Sequence, residues 1–427
     1  MNIHLAYGKN GLNVHLNDAW DVTVAEPKYV PALPDPLAAM RQALHSPIQS
    51  QPLRELARPA EKIGIIFNDI TRATPTPLIL EALFTELSHL PHRPITLFNA
   101  LGTHRPNRES ELRELTGEKA FSGYRIVQNN AFDPTTQVNL GQTRHGHEIW
   151  INHELLSCDL LILTGFIEPH FFAGFSGGGK AIMPGMAGLT TILGNHGAEM
   201  IAHPNATWGI THGNPLWEEV TEIALRVGEA PRRLFLVNVA LNREKQITDI
   251  FAGDLQAAHA VGCQSVRKTA MVPLEQPFEI VLTTNSGYPL DLNLYQSVKG
   301  MSAAAQVIQP GGAILIAAEC WDGIPEHGLY GRLLRESHSP QELLERIRQP
   351  GFSEQDQWQV QIQAQIQLKA DVYVYSSALS AEQIRSALLQ PATGGVEKTL
   401  DRLVKRYGKE ARICVLPEGP VTVPYVK

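Results

Sequence analysis

Leu160-Leu161-Ile162-Leu163-Thr164-Gly165-Phe166, followed at once by Ile167-Glu168-Pro169-His170, is the stretch on which the fold prediction rests. A short, continuous apolar run that ends in polar residues is typical of a strand covered on both faces of a parallel sheet. We therefore predict a buried strand over Leu160–Phe166, with polar side chains gathered just beyond its carboxyl end.

Similar apolar runs alternate with helical patterns on both sides of this stretch. Leucine and isoleucine spacing in the helical runs leaves one buried stripe on each. This alternation predicts an α/β fold with a mostly parallel, doubly wound sheet. The predicted strands are Lys62–Phe67, Ile95–Ala100, Arg125–Asn129 and Leu234–Val239, and the predicted helices are Pro77–Leu90, Glu109–Thr116 and Leu216–Val227.

The α/β pattern begins again near Arg267–Pro277, which predicts a second domain. We place the two domains at Met1–Val272 and Pro273–Lys427, each with a mostly parallel sheet flanked by helices. The active site is expected in the cleft between them. The strands predicted for the second domain are Glu279–Thr284, Ala313–Ala318, Asp371–Ser376 and Arg412–Leu416.

Composition excludes several classes of protein. The 427 residues are 43% hydrophobic and 19% charged, which is typical of a folded globular chain. The net charge is −7 without a run of Lys or Arg, so no nucleic-acid partner is expected. Apolar runs long enough to cross a membrane and a secretory leader are both missing, so the sequence predicts a cytoplasmic protein without membrane contact. The four cysteines form no CxxC pair, which argues against a thiolate zinc site.

Polar residues follow three of the predicted strands. Asp69 and Arg72 come after the first strand, His104 after the second, and His170 after Leu160–Phe166. Because ligands of open parallel sheets bind beyond the carboxyl ends of the strands, these side chains are expected to share one site. They supply a carboxylate binder and two candidate proton carriers.

A glycine-rich stretch, Gly174–Lys180, satisfies the spacing GxxxxGK of a phosphate-binding loop. It is a poor match to that motif, because Ala181 stands where Ser or Thr would hold Mg²⁺ and the glycines begin eight residues beyond the strand. Two interpretations from the residues stay open: a phosphate- or nucleotide-binding transferase, and glycines that merely permit a tight loop.

With these motifs in view, nearly the whole chain resembles the nickel-pincer lactate racemase family of 2-hydroxy acid racemases and epimerases. The block from Gly165 to Lys180 is long and unusual, which makes the likeness specific. The matching motifs are Asp69-x-Thr71-Arg72, Thr103-His104-Arg105-Pro106, the block Gly165–Lys180, Asn195-His196, and Gly287-Tyr288-Pro289-Leu290-Asp291 leading to Tyr295-Gln296-x-x-Lys299-Gly300.

The resemblance implies a cofactor and a set of roles. Lys180 would carry a nickel-pincer nucleotide, a pyridinium-derived thio acid mononucleotide, with Gly177, Gly178 and Gly179 beside it and His196 as the protein ligand to nickel. His104 and His170 would be the acid/base pair. The residues implied for the substrate are Asp69, Arg72, Gln296, Lys299 and Trp358, where Asp69 orients Arg72 and Trp358 lines the pocket.

The implied reaction inverts C2 of a small 2-hydroxy acid, with lactate as first choice. Hydride would leave C2 for the cofactor and return to the other face, while the two histidines exchange the hydroxyl proton. Malate, 2-hydroxyglutarate and aldonates are alternative substrates, and a non-catalytic storage protein for the cofactor is another alternative. Cofactor-making enzymes would be partners during maturation.

Two features stand apart from these expectations. Family members often carry Arg before the lysine and Ser after it, whereas this chain has Gly179 and Ala181. His145 and His147 lie two residues apart, a spacing that could suggest a metal, but we predict an exposed turn there and leave both outside the site.

Trp358 is predicted on an amphipathic helix.

Overall fold

The structure is a computed structural model that describes residues 1–90, 93–326 and 328–427. In these ranges the chain forms 20 strands and 16 helices, numbered in chain order. The strands are β1 (Asn2–Leu5), β2 (Leu12–His15), β3 (Asp21–Val24), β4 (Ile63–Asn68), β5 (Ile95–Ala100), β6 (Arg125–Gln128), β7 (Gln137–Gln142), β8 (Glu148–Asn152), β9 (Leu160–Phe166), β10 (Pro169–His170), β11 (Gly174–Phe175), β12 (Arg233–Leu241), β13 (Ile247–Gly253), β14 (Met271–Leu274), β15 (Phe278–Thr284), β16 (Ile308–Ala317), β17 (Asp371–Tyr375), β18 (Gln390–Pro391), β19 (Arg412–Leu416) and β20 (Val423–Val426).

Helices lie between most of the strands, as expected for an α/β chain. They are α1 (Pro36–His45), α2 (Leu53–Ala57), α3 (Thr76–Leu87), α4 (Glu109–Thr116), α5 (Glu118–Gly123), α6 (His153–Leu156), α7 (Leu189–Asn195), α8 (Ala198–Ala202), α9 (Pro215–Val227), α10 (Leu255–Ala270), α11 (Leu294–Ala305), α12 (Tyr330–Arg335), α13 (Pro340–Ile347), α14 (Gln357–Lys369), α15 (Ala381–Ser386) and α16 (Val396–Tyr407).

The chain divides into two compact units. The first-sheet unit contains Tyr29–His196 and Pro204–Lys268. The second-sheet unit contains Met1–Lys28, Gly197–His203 and Thr269–Lys427. Each unit has its own hydrophobic core.

The first-sheet unit is built on six strands in the order β13-β12-β9-β4-β5-β6. All neighbours are parallel except β13, which runs antiparallel to β12. Every residue of β9 is buried, in agreement with its uninterrupted apolar sequence. The chain runs from β4 outward through β5 to β6 and later returns to the other side of β4 with β9, so the sheet has a topological switch point between β4 and β9.

The second-sheet unit has six parallel strands in the order β18-β17-β16-β15-β19-β3. Together the two sheets confirm the predicted α/β class with parallel-dominated sheets flanked by helices. α16 ends at Gly408, whose φ of 100° lies in the region that glycine adopts without strain.

The units differ from the predicted division at the N-terminus. The sequence analysis places residues 1–272 in one domain, but Met1–Lys28 clusters with the C-terminal strands. The physical reason is β3, whose backbone pairs in parallel with β19 from Asp21 opposite Arg412 to Val24 opposite Val415. At the other boundary, the units change between Lys268 and Thr269, four residues before the predicted Val272.

Helix α14 also differs from its prediction. Its sequence alternates glutamine with other residues, and the helix is buried on nearly all sides rather than along one stripe. The buried amides donate to backbone carbonyls that are distant in the chain: Gln361 Nε2 donates to Ala198 O in α8 at 2.8 Å, and Gln363 Nε2 donates to Ala387 O after α15 at 2.8 Å. Hydrogen bonding of this kind is what permits polar side chains inside a packed unit.

Within the described ranges, none of the helices combines the length and the apolarity that crossing a membrane requires.

Candidate active site

Two of the predicted polar residues, Asp69 and His104, meet beyond the carboxyl ends of β4 and β5. Asp69 follows β4 directly, and His104 lies in the loop after β5. The carboxylate oxygen Oδ2 of Asp69 is 2.7 Å from Nδ1 of His104, and the hydroxyl of Thr71 donates to Oδ1 of Asp69 at 2.9 Å. Adjacent parallel strands thus bring together residues that are 35 positions apart in the chain.

Asp69 is buried and ionised. Burial raises its pKa, but the charge and hydrogen bond of His104, the charge of Arg72 and the hydroxyl of Thr71 outweigh burial, so the pKa of Asp69 lies below its ordinary value. A carboxylate only accepts hydrogen bonds, so Nδ1 of His104 carries the proton in this contact. In the neutral form of the ring, the other nitrogen, Nε2, presents a lone pair that can accept a proton.

Arg72 connects the β4 loop to the segment after β9. Its Nη1 donates to Oε1 of Glu168 at 2.9 Å. Glu168 is in turn held by Ser176, because the backbone N–H of Glu168 donates to the Ser176 hydroxyl at 2.9 Å and the Ser176 N–H donates to the Glu168 carbonyl at 2.8 Å. The structure therefore pairs Arg72 with a carboxylate that the sequence analysis did not assign.

A phenylalanine ring lies at the centre of the second cluster. Phe172 has its ring centroid 4.6 Å from that of His170 and 5.0 Å from that of His196. Both contacts are edge-to-face, and Lys180 Nζ lies 5.5 Å from the same centroid. The predicted cofactor-bearing lysine, metal ligand and second histidine thus surround one aromatic side chain.

His170 is held by the hairpin in which it lies. β10 and β11 pair antiparallel, with His170 opposite Gly174, and the side chain is buried. The backbone N–H of Ala173 donates to Nδ1 of His170 at 3.3 Å. A ring whose Nδ1 accepts a hydrogen bond carries its proton on Nε2, so His170 presents an N–H where His104 presents a lone pair.

His196 is a neutral imidazole at the end of α7, where it is the C-terminal cap. Burial, together with the charge of Lys180, lowers the pKa of His196 to about 3, while the charge of Glu219 acts in the opposite direction. Neutral imidazole is the form that binds metals.

The loop that carries Lys180 is held by hydrogen bonds to the side chains of Asn238 and His259. Gly178 N donates to Oδ1 of Asn238 at 2.8 Å, and Nε2 of His259 lies 2.8 Å from the carbonyl of Ser176, to which it donates. Gly177 has a φ of 77°, and a Cβ there would lie 2.4 Å from Asn238 Oδ1. Residues Gly178–Ala181 then form a short 3-10 turn. This loop does not have the strand–loop–α-helix geometry of a phosphate-binding loop.

Gly179 marks the departure from the family pattern next to Lys180. A Cβ at this position would lie 3.1 Å from both Ala224 Cβ and Val220 O of α9. The backbone of the turn therefore packs closely against that helix, and a larger side chain at position 179 would require α9 to shift. Ala181 is buried as well.

The protein side chains at this site suit a metal that is held mainly by ligands from a bound cofactor. Among the described residues there is no group of three or more His, Cys, Asp and Glu side chains arranged to hold a metal ion. The neutral, buried imidazole of His196 and the amine of Lys180 nevertheless both lie close to the ring of Phe172. This pair fits a group that is tethered through an amine and takes a single imidazole from the protein.

The remaining predicted residues belong to the second-sheet unit. Gln296 and Lys299 lie three positions apart on α11, and Gln296 N is capped by Oδ1 of Asn293 at 3.1 Å. Trp358 is buried on α14, and its Nε1 donates to the hydroxyl of Tyr295 at 3.1 Å. Within this unit, Tyr295 brings Trp358 beside the start of the helix that carries the two polar residues.

Sequence reasoning missed one part of the site. The predicted turn lies between β7 and β8 and is exposed at His145, but His147 is half-buried, and its Nδ1 lies 2.9 Å from Oε1 of Glu219, a fully buried carboxylate. Glu219 also accepts from the amide of Asn195 at 2.8 Å, next to His196. The sequence signal was weak: a glutamate on the otherwise apolar stripe of α9, beside Val220 and Leu216.

Fold and site together define an α/β enzyme with two units, whose candidate site lies beyond the carboxyl ends of the strands of the first sheet. Two family descriptions match the chain: the lactate racemase N-terminal domain over residues 7–209 and the lactate racemase C-terminal domain over residues 274–423. The chain belongs to the lactate racemase family.

Relatives support the same assignment over nearly the full length. The lactate racemase of Thermoanaerobacterium thermosaccharolyticum is 34% identical over 98% of both chains, and that of Lactiplantibacillus plantarum is 36% identical over 89% of both. The structure of the T. thermosaccharolyticum lactate racemase apoprotein superposes with a TM-score of 0.91 at 32% identity, covering 99% of this chain and 100% of the other. A Thermotoga maritima protein shares the fold, with a TM-score of 0.72 at 18% identity, over 93% of this chain and all of its own.

Proposed function

We propose that this protein racemises lactate by inverting C2 through hydride transfer, using a nickel-pincer nucleotide attached to Lys180. The observation that carries the proposal is the arrangement of Lys180, His170 and His196 around Phe172. The full-length likeness to lactate racemases supports the choice of reaction. When bound, the group would supply the acceptor and donor of the C2 hydrogen.

The two histidines are proposed to move the hydroxyl proton. Asp69 keeps a proton on Nδ1 of His104, so its Nε2 can take the proton from the substrate hydroxyl. His170 presents Nε2–H, because its Nδ1 accepts from Ala173 N. The two rings thus stand in complementary states, one ready to accept and one ready to donate, which a reaction through a planar 2-oxo acid requires.

Cationic side chains are proposed to bind the substrate carboxylate and to stabilise the developing alkoxide. Arg72 donates one guanidinium N–H to Glu168, and the planar guanidinium group has further N–H groups that can donate to a carboxylate. We assign Lys299 and Gln296 to the substrate's polar groups, and Trp358 to the pocket wall. We also propose that Asp69 orients Arg72, whose positive charge helps to lower the pKa of Asp69.

Lys180 and His196 are proposed to hold the cofactor, through the lysine amine and through the imidazole nitrogen as nickel ligand. Gly177, Gly178 and Gly179 would shape the turn that presents the lysine. Maturation would need the enzymes that make the cofactor, and we propose that it takes place in the cytoplasm.

The test is to co-express the chain with cofactor-making enzymes and to measure intact mass, nickel per chain and conversion of each lactate enantiomer. We expect an adduct on Lys180, bound nickel and racemisation, with His104→Ala and His170→Ala inactive but still loaded. His45→Ala is the matched control, because His45 pairs with a carboxylate, Glu86, as His104 pairs with Asp69. An unmodified, nickel-free chain under these conditions would refute the proposal. Parallel assays with malate and 2-hydroxyglutarate assign the substrate.

A further inference from the structure

A buried carboxylate near His196 has no part in the proposed reaction. Glu219 lies on α9 with its side chain fully shielded from solvent. It is surrounded by donors: Nδ1 of His147 at 2.9 Å, Nδ2 of Asn195 at 2.8 Å and the hydroxyl of Thr143 at 2.5 Å. A buried anion survives only with this degree of pairing, because removing a charge from water is costly.

Glu219 is charged in this setting. Burial raises its pKa, but the hydrogen bonds from His147, Thr143 and Asn195 and the charge of His147 outweigh burial, so the pKa of Glu219 lies below its ordinary value. The partner responds in the opposite direction, since the hydrogen bond to Glu219 raises the pKa of His147. The contact between Glu219 and His147 therefore favours the charged form of both side chains.

The carboxylate is connected to His196 through Asn195. The amide of Asn195 donates both to Glu219 and to the Leu216 carbonyl at 3.1 Å, which attaches the last residue of α7 to α9. His196 follows directly as the cap of α7, with its backbone N–H on the Ile192 carbonyl at 2.8 Å. The position of the imidazole thus depends on the link between these two helices.

Glu219 also places a negative charge one hydrogen bond away from Asn195, the residue before His196. A divalent metal on this imidazole would add positive charge beside the lysine-bearing turn. A buried anion connected to His196 through Asn195 is suited to offset that charge.

We propose that Glu219, held by His147, is a positioning residue and counter-charge that keeps His196 in place for nickel. The inference rests on the proposed function, in which His196 is the nickel ligand. It goes beyond that function because it assigns a role to a carboxylate and a histidine that contact neither substrate nor cofactor in the proposal.

The test uses cofactor-loaded protein and the variant Glu219→Gln, which keeps the size and an oxygen acceptor for Asn195 but removes the charge. Outer residues of metal sites alter metal affinity by about 10- to 100-fold. We expect the intact mass of the variant to show the Lys180 adduct, while its nickel is lost to a chelator at least about tenfold faster than wild-type nickel. The measurement is nickel per chain against time, independent of turnover.

The matched control is Glu86→Gln. Glu86 is also a buried glutamate of the first-sheet unit, and it pairs with His45 at 3.2 Å on another face of the sheet. We expect the Glu86→Gln variant to lose nickel at the wild-type rate. If Glu219→Gln does not fold, Asn195→Ala is tested instead. This substitution breaks the hydrogen bond between α7 and Glu219 but leaves Glu219 bonded to His147 and Thr143. We expect it to release nickel faster than wild type, as for Glu219→Gln.

Two results are distinguishable. If cofactor-loaded wild type and a folded, loaded variant release nickel at equal rates, the role of Glu219 is overturned and the proposed function is left intact. Wild-type protein that carries neither adduct nor nickel overturns the proposed function, and the role of Glu219 with it.

Discussion

Replacing Asp69 by Asn tests the proposed acid/base arrangement most directly. Asn has nearly the shape of Asp but no charge, and its amide can donate to Nδ1 of His104 instead of accepting from it. Such a contact would move the ring proton to Nε2, where the proposed base needs a lone pair. The substitution therefore changes the tautomer of His104 while the fold around β4 and β5 is kept.

The magnitude follows from the contact. A hydrogen bond from a histidine to a buried, ionised carboxylate at 2.7 Å is of the charge-assisted kind, worth about 1.5–3 kcal/mol. Because a factor of ten corresponds to about 1.4 kcal/mol, the loss predicts a decrease in kcat of roughly 10- to 150-fold. Binding should weaken as well, since Asp69 is proposed to orient Arg72.

The assay is racemisation of D- and L-lactate by protein whose intact mass shows full loading, read by enantiomer-specific detection. Thr71→Val isolates the smaller contribution of the hydroxyl that donates to Asp69, and it should cost less than Asp69→Asn. Glu86→Gln controls for loss of a buried carboxylate elsewhere in the unit. A kcat within twofold of wild type for loaded Asp69→Asn would refute the reasoning.

Three further predictions concern other parts of the unit. Gly177→Ala should destabilise the apoprotein by about 1–3 kcal/mol, because its φ of 77° and the 2.4 Å approach of Asn238 Oδ1 both oppose a Cβ; equal urea midpoints would contradict this. His147→Ala should show pH-dependent destabilisation. The pKa of His147 is raised above 6.5, so its ion pair stabilises the fold fully below about pH 6.5 and the difference from wild type shrinks as pH rises through the raised pKa; a difference that stays constant over that range would count against the pairing. Glu168→Gln should raise turnover of malate relative to lactate by several-fold, because the carboxylate on Arg72 repels a second substrate carboxylate; an unchanged ratio of kcat/KM values would exclude this effect.

Much of the first sheet could be predicted from the sequence because its signals are local. β5 and β9 coincide with their predicted bounds, and β4 is displaced by a single residue at each end. A strand buried on both faces needs a continuous apolar run, and that requirement is visible in the residues themselves. The polar residues after those runs were predictable for the same reason, since parallel strands deliver their carboxyl ends to one edge.

Helix α14 shows where local pattern fails. Glutamines at every second position resemble a half-buried strand or a polar surface, yet these side chains lie inside the second-sheet unit. Their partners, such as Ala198 O and Ala387 O, lie far away in the chain, and the sequence around the helix does not indicate them. Burial of a polar side chain depends on acceptors that only the folded chain supplies.

By itself, the sequence determined the α/β class, the loops that carry Asp69, His104 and His170, and the likeness to lactate racemases, because each depends on residues close together in the chain. Only the tertiary structure decided that β3 pairs with β19 and that Glu219 binds His147 across 72 positions. Strand partners and buried ion pairs are chosen by which surfaces meet after folding. Contacts of that kind leave almost no periodic signal in the residues on either side.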